Sequence, residues 1–161
     1  MSDPPAAGRV RIQFIGTGGP LASGGRLQSC ILIQTDHGRY LVDCGMTVLV
    51  GMSRFDIDPG SIEAVLITHL HGDHYGGLPL MILEACIHAH EGSTYSPTYS
   101  AGALNVIDIP QWGLLNYRTL QTHRDKLTCR RLILTHVGPQ LQHRLQEVDA
   151  EVAGDGPVLT L

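Results

Sequence analysis

At 161 residues, with 43% hydrophobic and 16% charged side chains, the chain has the composition of a globular protein with room for one core. Its formal charge of −4 argues against nucleic acid as a partner; the densest basic stretch (Arg124, Lys126, Arg130, Arg131) is interrupted by Asp125 and reads as a solvated face. No apolar run approaches the roughly 20 residues of a bilayer span, and Met1-Ser2-Asp3-Pro4-Pro5 lacks the basic and apolar regions of an export signal. A cytoplasmic location with no membrane partner is therefore expected. The cysteines (Cys30, Cys44, Cys86, Cys129) are scattered without a CxxC pair and read as free thiols in a reducing compartment.

Residues 1–8 read as a flexible tail and 9–161 as one domain. The alternation over 10–15 predicts a half-buried strand, ended by Gly16-Thr17-Gly18-Gly19-Pro20. Those glycines do not make a dinucleotide fingerprint, which needs glycine where Leu21 stands and a helix at once afterwards, so they read as a plain turn. Strands over 29–35 and 39–44 are joined by Asp36-His37-Gly38 as a hairpin, with His37 a solvated turn residue. A short helix is predicted over 47–54, closed by Asp58-Pro59-Gly60.

An apolar strand over 62–67 then delivers Thr68-His69-Leu70-His71-Gly72-Asp73-His74 at its C-terminal end. The run 78–87 is apolar all round and predicts a buried helix. From Glu91 the composition turns irregular, rich in Ser, Thr, Tyr, Pro and Gly, with one short apolar piece over 104–109 before Pro110. Order returns with a polar helix over 118–126, a strand over 131–134, a helix over 139–148, the turn Asp155-Gly156 and a last strand over 157–161. Val65-Leu66-Ile67-Thr68-His69 is echoed by Leu132-Ile133-Leu134-Thr135-His136. Two strand ends carrying Thr-His can thus reach one cleft.

The cluster after 62–67 is the centre of the functional reading. Imidazole and carboxylate are the donors zinc takes when a position must stay open for chemistry. His69 and His71 alternate along an extended segment and point the same way, whereas Gly72 lets the chain turn and swing Asp73 and His74 to a second point. Two neighbouring ions are the expected occupants, one on His69 and His71, the other on Asp73 and His74.

Thr68 to His74 resembles the HxHxDH signature of the metallo-β-lactamase-fold hydrolases. Gly16 to Pro20 is similar to the first loop of their ribonuclease Z-like and cyclic-phosphodiesterase-like branch. Tyr40-Leu41-Val42-Asp43-Cys44-Gly45 resembles their hydrophobic-Asp-x-Gly strand end, and 132–136 their strand carrying the last histidine ligand. The resemblance implies an αββα sandwich of two mixed sheets with metal at one edge. It assigns Asp73, His74 and His136 to one zinc, His69 and His71 to the other, and to Asp73 the further role of orienting the attacking hydroxide. The family's middle histidine and its bridging aspartate have no counterpart between Ile87 and Tyr117. This implies an internally shortened domain, an incomplete second sheet, one firm zinc site and one weaker. His88, His90 and Asp108 are the candidate substitutes, although the two histidines more simply end a helix and Asp108 sits in a short strand.

The implied activity is zinc-dependent hydrolysis by a metal-bound hydroxide on a phosphodiester or another small ester, with Mn2+ as an alternative ion. The competing reading is a shortened, non-catalytic relative that binds metal or a partner. An incomplete second sheet leaves an open edge that invites a homodimer.

Overall fold

Strand β1 (Arg11–Gly16) lies between two antiparallel partners, β2 (Cys30–Gln34) and the last strand of the chain, β7 (Val158–Thr160). The computed structural model describes residues 8–90, 117–122, 124–126, 128–129 and 131–161. β2 continues through the 35–38 turn into β3 (Arg39–Val42), where the Thr35 hydroxyl accepts from the backbone N–H of His37 and Gly38. His37 is exposed there, as expected of a turn residue.

β4 (Ala64–Leu66) runs parallel to β3, which a tight hairpin cannot achieve. The crossover is made by helix α1 (Val48–Arg54) and a 3-10 turn at Pro59–Ser61, whose first N–H is capped by the Asp58 carboxylate. The sheet order is β4-β3-β2-β1-β7. Among the described residues a second, two-stranded sheet pairs β5 (Ile133–Leu134) with β6 (Glu151–Val152) in parallel. Gly18 bridges both Gln28 and Val137, so the loop after β1 ties the two sheets together.

The core lies between the large sheet and its helices. Ile15, Leu32, Leu41 and Val65 point inward from four strands, and Val48, Met52 and Met81 meet them from α1 and from α3 (Leu78–His90). Each such fully buried side chain contributes about 1.5–3 kcal/mol. Cys30 and Cys44 belong to this core as free thiols, and burial pushes both up, Cys44 to about 12. Cys129 is free and exposed, and the Cys86 side chain lies outside the described residues.

Three expectations need correction. α3 is not buried all round: Met81 is fully enclosed, but Leu80 and Leu83 are 52% and 56% exposed. The uniform hydrophobicity of its sequence hides which face packs, and the packed one is turned to α1 and the Pro59–Ser61 turn. The helix predicted over 139–148 is two short turns, α5 (Pro139–Gln142) and a 3-10 turn at Leu145–Glu147. They are separated because Arg144 leaves helical geometry, at φ −129° and ψ 24°. The polar helix over 118–126 ends as α4 (Tyr117–Thr122), followed by a 3-10 turn at Arg124–Lys126.

Arg131 is exposed and forms a two-point pair with Glu151, in keeping with a solvated basic face. The strand expected over 104–109, Asp108, the irregular segment 91–116 and residues 1–7 of the tail lie outside the described residues. His88 and His90 fall in the last turn of α3, and their side chains also lie outside them. No helix among the described residues is long and apolar enough to cross a membrane.

Candidate metal centre

The histidine cluster begins where β4 ends. His71 still has extended backbone, and the next four residues close a single helical turn, α2 (Gly72–Tyr75). That turn, rather than any glycine-only geometry, redirects the chain: Gly72 has open space around it and no left-handed backbone. The switch from extended to helical separates the cluster. Asp73 and His74 are buried, His69 is half-buried and His71 is exposed. The floor beneath α2 is the end of β3, where the Cys44 N–H donates to the His74 carbonyl at 2.6 Å. Gly45 passes so close that a Cβ there would lie 2.5 Å from the Asp73 carbonyl oxygen, so only glycine fits.

His136 arrives from the second sheet. It follows β5 and holds a left-handed backbone (φ 59°), an arrangement uncommon outside glycine and enriched at functional sites. It turns Nε2 toward Asp73, 3.8 Å from Oδ2, while His74 Nε2 lies 3.5 Å from the same oxygen. One donor atom from each of Asp73, His74 and His136 therefore falls within 4.8 Å of the others, a spacing that a metal ion can bridge. The His74 and His136 rings stack, with centroids 4.7 Å apart. His69 packs on His74 at 3.9 Å, and its Nε2 sits 3.1 Å from His71 Nδ1. Among the described residues no third donor group gathers around His69 and His71.

Asp43 organises these groups, and the sequence reading assigned it no role. Its Oδ2 accepts from His74 Nδ1 at 2.7 Å and from the Ser29 hydroxyl at 3.2 Å. Its Oδ1 accepts from the Thr68 N–H at 2.9 Å and from the Thr68 hydroxyl at 2.8 Å. A carboxylate facing Nδ1 fixes the imidazole with its proton on that nitrogen, which leaves the Nε2 lone pair free to ligate. Burial alone would push the Asp43 carboxyl up, but the hydrogen bonds from His74 and Thr68 outweigh it and hold the group below the usual range. Asp43 is itself left-handed at φ 63°, a conformation aspartate tolerates better than most residues. The available signal was a carboxylate closing the apolar strand Leu41-Val42, where burial demands a partner.

The electrostatics suit neutral imidazoles. Burial lowers the pKa of His136, helped by His74 and opposed by Asp73. Burial also lowers that of His69, with His74 and His71 adding to the effect. Asp73 Oδ2 and His74 Nε2 are buried, close together and without a hydrogen-bond partner. Buried polar atoms are almost always satisfied, so an acceptor oxygen and an imidazole nitrogen left open at one point fit a cation between them.

The loop after β1 is the remaining wall. Read from sequence as a plain turn, it faces the site: a Cβ on Gly19 would stand 3.5 Å from His136 Nε2. The family model described as Anti-Pycsar protein Apyc1 matches residues 10–96, more than half of the chain and all of the β1-to-α2 framework. The chain belongs to this Apyc1 family. It is a member of the metallo-β-lactamase superfamily in the ribonuclease Z-like branch, as the resemblance implied.

It is 41% identical over 69 residues to the Anti-Pycsar protein Apyc1 of Paenibacillus sp. (strain J14), a match covering 43% of this chain and 28% of that protein. It is 33% identical over 112 residues to the ribonuclease Z of Methanopyrus kandleri, covering 66% and 38%. A diphosphatase from the PhnP family shares the fold at a TM-score of 0.60 and 12% identity, covering 93% of this chain and 97% of that one. The chain thus spans well under half the length of these two curated Apyc1 and ribonuclease Z relatives. That one of them is named a ribonuclease stands in tension with the expectation, drawn from net charge, that nucleic acid is not a substrate.

Proposed function

We propose that the chain is a metal-dependent hydrolase acting on a phosphodiester or another small ester. The observation that carries the proposal is the convergence of Asp73 Oδ2 and His74 Nε2, both buried and without a hydrogen-bond partner, with His136 from the other sheet. Asp73, His74 and His136 would hold one zinc or manganese ion, and His69 with His71 would offer a second, weaker position. An ion held by three protein ligands lowers the pKa of a bound water toward neutrality and polarises the substrate oxygen.

The residues do the rest. Asp43 keeps the His74 proton on Nδ1, so that Nε2 stays available. The Asp73 carboxylate, buried and accepting no hydrogen bond on Oδ2, would supply negative charge to a cation held there and could orient an attacking water. Gly19, having no side chain, lets the loop after β1 lie directly against the His136 ring. His71, exposed at the rim, is placed to meet the substrate or the second ion.

The test is hydrolysis of bis-p-nitrophenyl phosphate with added zinc or manganese, in the wild type and in His136→Asn. Asparagine tolerates the left-handed backbone while removing the imidazole. Turnover in the wild type that falls at least tenfold in the variant supports the proposal; equal rates in both remove it. Metal binding without turnover would favour the second reading, a metal-binding relative without catalysis, in line with the lack of a third donor group around His69 and His71 among the described residues.

A further inference from the structure

His136 presents a problem that its own strand does not solve. β5 is only Ile133–Leu134 and half-buried, yet the histidine two residues beyond it holds a left-handed backbone and must be placed against Asp73. Two hydrogen bonds immediately after it fix the chain. The Val137 N–H donates to the Thr17 carbonyl at 2.8 Å, and the Gly19 N–H donates to the Val137 carbonyl at 3.4 Å. The position of His136 is therefore inherited from residues 17–19.

Those residues are held in turn by one carboxylate. Asp155 Oδ1 accepts from both the Thr17 N–H (2.9 Å) and the Thr17 hydroxyl (2.6 Å), and Oδ2 accepts from the Leu27 N–H (2.7 Å). Arg26 closes the arrangement from the other side. Its guanidinium donates to the Thr17 hydroxyl at 2.7 Å and to the Ala153 carbonyl at 2.6 Å. Ala153 meanwhile donates to the Leu134 carbonyl, returning to the strand that carries His136. The ring is complete: β5, Val137, Thr17, Asp155 and back through Ala153 to β5. A turn carboxylate would ordinarily cap its own neighbours, whereas Asp155 reaches residues more than a hundred positions away in sequence.

We propose that Asp155 is a positioning residue for the metal centre: by clasping Thr17 it sets the backbone on which His136 is mounted. Its hydrogen bonds go to Thr17 and Leu27 and not to the ligand atoms themselves. The inference rests on the reading of Asp73, His74 and His136 as a metal site.

The experiment measures cobalt(II) binding and its d–d absorption in the metal-free protein and in four variants. Asp155→Asn keeps the size of the side chain but has one acceptor oxygen for three donors; it should bind cobalt about tenfold more weakly and shift or weaken the absorption band. Thr17→Val should do the same to a lesser degree, and Thr17→Ser, which restores the hydroxyl, should return affinity and spectrum to those of the wild type. Asp58→Ala is the control for stability alone, since it uncaps the Pro59–Ser61 turn away from the site. It should lower the melting temperature and leave the cobalt spectrum unchanged. A wild-type affinity and spectrum in Asp155→Asn overturns the inference, as does an equal loss in Asp58→Ala. Failure of the wild type to bind cobalt overturns the metal reading itself, and the inference with it.

Discussion

Replacing Asp43 by asparagine isolates the link between fold and chemistry, because the shape and the left-handed backbone are kept while a carboxylate becomes an amide. In the wild type four donors from Ser29, Thr68 and His74 converge on the two oxygens. The amide offers one oxygen. The Thr68 N–H cannot rotate away or become an acceptor, so the oxygen stays on that side and the new NH2 faces His74 Nδ1. His74 must then accept on Nδ1, which moves its proton to Nε2, the nitrogen next to Asp73. A protonated Nε2 cannot ligate.

Loss of an outer-shell partner of this kind weakens metal binding by about 10–100-fold, or roughly 1.4–2.8 kcal/mol. Zinc affinity measured by competition with a chromophoric chelator reads this directly. Thermal unfolding of the metal-free protein supplies the structural control and should fall by about 1–3 kcal/mol at most, the range for disturbing one buried polar group. Wild-type zinc affinity in Asp43→Asn would refute the argument that Asp43 sets the tautomer of His74.

Other outcomes follow from the same structure. Met81→Ala should destabilise the fold by about 2–5 kcal/mol in denaturant unfolding, because the side chain is fully enclosed in the core. An unchanged midpoint would mean that this face of α3 does not pack. Gly45→Ala should destabilise by about 1–3 kcal/mol and also weaken metal binding, since the added methyl displaces the Asp73 backbone. The Cys44 thiol, raised from 9.0 to about 12 chiefly by burial, stays protonated in the fold after it has ionised in the unfolded chain. Its contribution to stability is therefore intact below the unfolded value and is lost as pH rises above about 9, by at most ~1.4 kcal/mol per pH unit. Unfolding midpoints from pH 7 to 10.5 should fall more steeply in the wild type than in Cys44→Ala, and parallel curves would contradict the burial.

Much of the large sheet was legible because its signals are local. The turn chemistry of Asp36-His37-Gly38 sets the β2–β3 hairpin, and the histidine cluster marks the end of β4 by composition alone. What could not be read depends on partners far away in sequence. Val158–Thr160 looks like any terminal strand, and nothing local reveals that it pairs with β1. β6 is two residues long and half-exposed, too short for a periodicity to show. The uniform apolarity of α3 gave no direction for its packed face. At the site, the metal-type residues announced themselves by chemistry. Asp43, Thr17 and Asp155 did not, because an aspartate in a strand end or a turn has many ordinary uses, and their work appears only when β1, β3 and the C-terminal turn are folded together.

Asp73, His74 and His136 are proposed to form one firm metal site. The direct measurement is the number of zinc equivalents retained per chain after dialysis against a weak chelator, in the wild type and in His136→Asn. One equivalent is expected in the wild type and none in the variant. No zinc in the wild type, or a full equivalent retained without His136, would contradict it.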